Sequence, residues 1–153
     1  MANLRYPIDV DTYNTTAVSQ AYDVFSQKIQ QGTLFNNSLF LFEGYSTQGV
    51  KAVPRETSAY AFRDDNLLIA PLITYKEAGA ALDQEANALG KELREIIHQG
   101  TGRDEIHAYV NYAFPGNTKK EWYGYEQWRQ DKLLTLKNKY DPDRKFSFFG
   151  PIA

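Results

Sequence analysis

Two runs constrain the fold most: SLFLFEGYS at 38–46 and NLLIAPLITY at 66–75. In extended backbone, successive side chains point to opposite faces. The first run then sets Phe40 and Phe42 on one side and Leu39 and Leu41 on the other. The second is also apolar on both sides and is interrupted by Pro71. A sheet with one wet face would show polar residues there. Helices are therefore expected on one face, and a binding surface, an oligomer interface or a covering loop on the other.

The remaining elements read as follows. LRYPIDV (4–10) is a short strand, and Pro7 favours an edge. The helix that follows is capped by Thr15 or Thr16, carries Val18, Ala21, Tyr22, Phe25 and Ile29 at helical spacing, and ends at Gly32. TQG (47–49) is a turn into a second strand arm, VKAVP (50–54). The longest helix, 77–100, has an apolar stripe of Leu82, Ala86, Leu89, Leu93, Ile96 and Ile97. EIHAYVNYAFPG (105–116) reads as a strand. A last helix over 122–140 turns Tyr125, Trp128, Leu133, Leu136 and Tyr140 inward, before an extended tail, KFSFFGPIA. The order β-α-β-β-β-α-β-α predicts an α+β fold. We expect a mostly antiparallel sheet of about five strands, with helices packed on one face, as a single domain over 1–153.

Composition narrows the function classes. A net charge of −2 with scattered Lys and Arg gives no general attraction to nucleic acid. The chain has no cysteine and only two histidines, His98 and His107, which rules out thiolate zinc sites and a His-rich metal centre. No metal-binding residues are therefore assigned. No apolar run reaches membrane-spanning length, so no membrane partner is expected. The N-terminus lacks the long apolar core of a signal peptide, which favours a cytoplasmic location. Aromatic content is high at 14%, with Tyr at 11, enough to line a pocket.

The chemistry-bearing residues lie on the expected strands. Alternation over 105–113 sets Ile106, Ala108, Val110 and Tyr112 on one face, and His107, Tyr109, Asn111 and Ala113 on the other. The first set suits the helix layer and the second the opposite face. Tyr109 could act as a general acid or hydrogen-bond donor, and His107 as an acid or base. Asn111 could orient a substrate or stabilise a developing oxyanion. Equally, these groups could satisfy one another. Glu43 sits in an apolar strand, where a carboxylate is costly unless paired or used in proton transfer. If Leu39 and Leu41 face the second side of the sheet, Glu43 and Tyr45 do too. Arg63 or Lys51 could pair with Glu43, or Arg63 could bind a carboxylate or enolate oxygen. Phe42 and Trp122 are candidate apolar contacts for a substrate, although Trp122 also suits a core or rim.

The segment AYVNYAFPGNTKKEWYGYEQWRQDKLLTLKNKYDPDRKFSF resembles the C-terminal signature of berberine-bridge-type FAD-linked oxidases. The matching positions are Tyr109, Asn111, Tyr112, Tyr123, Gly124, Leu133, Leu136, Lys137, Lys139, Tyr140, Asp141, Pro142 and Phe146. Upstream, Arg63 in TSAYAFRDDNLL matches a family arginine, and LRYPI resembles the strand that opens the family's substrate domain. The resemblance implies a substrate domain without the flavin-binding domain that precedes it in the family. It also implies that the face carrying Tyr109 lines a substrate cavity. Two departures stand out. Phe62 takes the place of a common histidine, and the strand over 66–75 lacks the acidic residue that related oxidases often place near the flavin.

Three functions follow as expectations. The first is a flavin-free, cofactor-independent cyclase or isomerase acting on a polyketide- or terpenoid-like natural-product intermediate. The second is one half of a split oxidase that works with a separate FAD-binding partner chain. The third is a non-catalytic small-molecule binding protein. In the first reading Tyr109, His107 and Glu43 are catalytic, Asn111, Arg63, Tyr45, Phe42 and Trp122 bind substrate, and no residue binds a cofactor. A homodimer through the second sheet face or the C-terminal tail is expected to cover the apolar surface.

Overall fold

A computed structural model describes residues 1–32, 34–114 and 116–152; Ala153, at the tip of the tail, lies outside them. Its centre is one long strand. β4 (Leu67–Tyr75) pairs antiparallel with β3 (Leu39–Gly44) on one side, and with β1 (Ala2–Arg5) and β2 (Ile8–Val10) on the other. β1 and β2 are successive pieces of one edge, separated at Tyr6–Pro7. Tyr6 N donates to Pro71 O across that break. A residue's N–H and C=O point the same way in an antiparallel ladder, so the N–H that Pro71 lacks falls where the edge is already interrupted. This is how a proline survives in the central strand.

The register sorts the side chains. Ile8, Ile69, Ile73 and Tyr75 enter the core on one face. Against them pack α1 (Thr15–Gln30), through Ala21 with Val18, Phe25 and Ile29, and α3 (Ala80–Thr101), through Leu82, Ala86, Leu89, Leu93 and Ile97. Asn14, rather than Thr15 or Thr16, caps α1 by accepting from Ala17 N at 3.1 Å. Its amide nitrogen also donates to Gly100 O, pinning the start of α1 to the end of α3. Tyr22 is exposed instead of inward. At Gly90 the Tyr6 ring lies directly on the α3 backbone, where a Cβ would come within 2.0 Å of it. The α+β fold with an antiparallel sheet and helices on one face is as expected, but with four strands among the described residues instead of about five.

Three local expectations fail for identifiable reasons. VKAVP does not form a strand: the turn at 47 closes into a single helical turn, α2 (Gln48–Lys51), with Lys51 N and Ala52 N donating to Thr47 O and Gln48 O. The stretch 105–113 is no strand either. Ile106 N donates to the Tyr125 hydroxyl and Ala108 N to Glu121 O, so its amides are satisfied outside the sheet. Residues Val110–Tyr112 then tighten into a 3-10 turn.

The last helix is split at Gly124, with φ 94°, into α4 (Lys119–Tyr123) and α5 (Gln127–Tyr140). The buried line of α5 is Arg129, Leu133 and Lys137, while Trp128, Leu136 and Tyr140 are exposed. The cations are tolerated because the loops present acceptors. Arg129 Nη1 donates to Arg55 O and Ser58 O, and Lys137 donates to Asp141 and to Phe146 O.

Candidate active site

The second face of the sheet carries Asp9, Leu41, Glu43, Leu68, Ala70 and Leu72, as the cross-strand register requires. Over its β2 end lies a cavity of about 450 Å³. Leu68, Glu43 and Asp9 line it from the sheet, with Tyr45 to Thr47 and Val50 on one wall and Tyr109, Asn111 and Tyr112 on another; Tyr60 and Asp65 also line it. The 3-10 turn brings Tyr112 to the same side as Tyr109 and Asn111. Tyr109, Asn111 and Tyr112 therefore share the cavity, although strand alternation had set Tyr112 opposite the other two.

Glu43 is the polar hub. It accepts from Tyr45 Oη at 2.7 Å and from Tyr112 Oη at 3.0 Å, and has no Arg63 or Lys51 partner. These bonds to Glu43 hold both phenols above the ordinary tyrosine range, so each is a fixed donor. The Arg5 guanidinium lies 4.6 Å from the centre of the Tyr112 ring and steadies it from outside. The Tyr109 hydroxyl accepts from Asn111 Nδ2 at 2.6 Å. Its own proton is then free to donate elsewhere.

His107 does not line this cavity. Its Nδ1 lies 2.6 Å from Asp65 Oδ2, its ring stacks on Phe62 at 4.0 Å, and it borders a separate depression with Arg55 and Glu126. Phe62, in the position where a family histidine was expected, thus packs against a histidine from another segment. Arg63 is buried behind the cavity, donating to Val50 O at 2.7 Å and to Ser58, and so fixes the wall loop. Phe42 points to the helix face beside Phe40 and Tyr13. Trp122 is buried beside Tyr123. None of these four side chains lines the cavity among the described residues.

Sequence reasoning passed over Asp9, Tyr60 and Asp65. Asp65 pairs with Arg103 Nη1 at 2.8 Å, and its other oxygen lies 2.6 Å from His107 Nδ1. Asp9 is only 3% exposed, and its Oδ2 has no hydrogen-bond partner. Burial, reinforced by Asp65 and opposed by Arg103, pushes its carboxyl up to about 8. Burial, together with Asp9 and Asp65, also holds the Tyr60 phenol above its ordinary range. The signal for Asp9 was present: it alternates with Ile8 and Val10 in a strand, so it had to face away from the core.

No family model matches the chain. Among curated relatives, it is 52% identical over 151 residues to the FAD-linked oxidoreductase chyH of Penicillium rubens, and 47% identical over 151 residues to the FAD-linked oxidoreductase chry5 of Gibberella zeae. Both matches cover 99% of this chain and 30% of the relative, so the chain spans about a third of their length. In fold it is similar to berberine bridge enzyme from Eschscholzia californica, with a TM-score of 0.73 at 13% identity, covering 99% of this chain and 32% of that one. It is also similar to Physcomitrella patens BBE-like 1, with a TM-score of 0.70 at 18% identity, covering 92% and 28%.

Relatives named FAD-linked lend no support to the expected independence from flavin. The cavity itself does not suit a whole FAD. Among the described residues, three acidic side chains and no lysine or arginine line it, a poor match for a diphosphate. In sequence this chain is related to the FAD-linked oxidoreductases, and it has the fold of the corresponding part of berberine-bridge-type enzymes.

Proposed function

We propose that this chain forms the substrate-binding part of an FAD-linked oxidoreductase, with the flavin phosphates held by polypeptide outside these 153 residues. The observation that carries this reading is the convergence of Glu43, Tyr45, Tyr109, Asn111 and Tyr112 on one cavity, in a chain 52% identical to such an oxidoreductase. Oxidation is the flavin's contribution; the residues here bind, orient and move a proton. Glu43 accepts a proton from the substrate after one of its phenol partners yields its place. Tyr109, anchored by Asn111, donates a hydrogen bond to a substrate oxygen.

The second reading is flavin-free cyclisation or isomerisation of a polyketide- or terpenoid-like intermediate. It is favoured by an acceptor, Glu43, and a donor, Tyr109, meeting within this chain alone. Replacing the matching part of the Penicillium rubens relative with this chain separates the two. A yellow hybrid that oxidises the relative's substrate supports the first reading. A colourless hybrid, together with an isolated chain that turns over a substrate without flavin, supports the second.

A further inference from the structure

We propose that the β2 end of the cavity is a subsite for a cationic amine, with the Asp9 carboxylate as its anchor. The inference rests on the cavity being the substrate site and adds the chemical class of the group it takes. Each carboxylate of the lining has a different fate. Glu43 is occupied by two phenol donors, and Asp65 by Arg103 and His107. Arg103, the cation nearest Asp9, spends its other guanidinium nitrogen on the Asp9 backbone carbonyl at 2.5 Å, not on the carboxyl.

Asp9 is thus a buried acid whose carboxyl makes no hydrogen bond: Oδ2 is sealed off, which leaves Oδ1 as the oxygen a ligand can reach, on the wall of a cavity that no Lys, Arg or His lines among the described residues. Leaving such a group unpaired is unfavourable. A positively charged N–H donor entering from the cavity pairs with the reachable oxygen and offsets that penalty, whereas an anion meets Glu43 and finds no cation on the described lining. Apolar Val50, Leu67 and Leu68 and the ring of Tyr60 line the same space and suit the carbon skeleton that carries the amine. When the ammonium group binds, the Asp9 carboxyl releases its proton to solvent and the pair forms as carboxylate and ammonium, so charge and protons balance.

The test titrates the 153-residue chain with benzylamine, benzyl alcohol and benzoate, read by calorimetry in two buffers that differ in ionisation enthalpy. The expected result is binding of benzylamine roughly tenfold or more tighter than benzyl alcohol, no binding of benzoate, and proton release only with the amine. Asp9→Asn, with folding checked by thermal melting, is expected to abolish both the preference and the proton release. Equal binding of amine and alcohol, absence of amine binding at millimolar concentration, or an unchanged preference in Asp9→Asn overturns the proposal. If Asp9→Asn does not fold, the contrast among the three probes on the unsubstituted chain decides alone. The readout involves no flavin. A failure here beside an active yellow hybrid therefore overturns the amine subsite and leaves the oxidoreductase reading intact.

Discussion

Tyr112 reaches across 69 residues of sequence to place its hydroxyl 3.0 Å from Glu43 Oε1. The bond joins the tightened 110–112 segment to β3, and so fixes one cavity wall against the sheet. Tyr112→Phe removes one partly buried hydrogen bond and leaves the ring over Arg5. It should cost about 1 kcal/mol of stability. Urea unfolding at constant m-value checks this, and a loss above about 3 kcal/mol would show that the turn itself collapses.

Asp9 makes stability depend on pH with a definite sign. Its carboxyl titrates at about 8 in the folded chain against 3.8 for an unperturbed aspartate. The folded state holds the extra proton between those values. The associated stability is complete at acid pH and is lost as pH rises through about 8. Asp9→Asn has no such proton. Its stability relative to the unsubstituted chain should rise by on the order of a few kcal/mol between about pH 5 and about pH 9. Thermal melts across that range check it, and a difference that stays constant with pH would contradict it.

Gly90 tests the packing of the edge strand on α3. Alanine in a helix interior ordinarily stabilises by about 1 kcal/mol over glycine. Here the added Cβ would meet Tyr6 Cε2 at 2.0 Å, in a ring whose hydroxyl is tied to Asn87 at 2.9 Å. Gly90→Ala should therefore destabilise, by about 1–3 kcal/mol. A melting temperature equal to or above that of the unsubstituted chain would show that Tyr6 is free to move.

Lys137 and Asp141 close the chain after α5. The Asp141 carboxyl also accepts from Lys145 N at 2.8 Å and Phe146 N at 3.0 Å, and it lies below the ordinary aspartate range, chiefly through its bond from Lys137. Lys137→Ala leaves that turn without its buried cation. It should lower the melting temperature by on the order of several degrees. Asp141→Ala in the same background should lower it further, because the bonds from Lys145 N and Phe146 N are lost as well, and a double-mutant cycle would isolate the part that belongs to the ion pair.

These residues also show what could be read from the sequence. Two-sided apolar strands demanded a covered second face, and the parity of Leu39, Leu41 and Glu43 is the parity found across β3 and β4. The α3 stripe followed helical spacing without tertiary help. The sequence misled where backbone groups found unexpected partners. A phenol from Tyr125 and a carbonyl from Glu121 drew 105–113 out of the sheet, which separated His107 from Tyr109 and brought Tyr112 to join it. Likewise, loop carbonyls at Arg55, Ser58 and Phe146 allowed Arg129 and Lys137 to replace the aromatic stripe expected on α5. Such partners lie between nine and 74 residues away, and periodicity carries no trace of them. Asp9 was legible by alternation, but its lack of a partner emerges only when Arg103 is seen to be committed elsewhere.

The most direct test of the central claim is the rate of flavin reduction in a single turnover of the yellow hybrid, compared with its Glu43→Gln and Tyr109→Phe variants. If these two residues bind and deprotonate the substrate beside the flavin, each substitution should slow reduction by roughly 10²-fold while FAD content stays unchanged. Undiminished reduction in both variants would contradict the account, because the cavity they line would then lie apart from the reacting substrate.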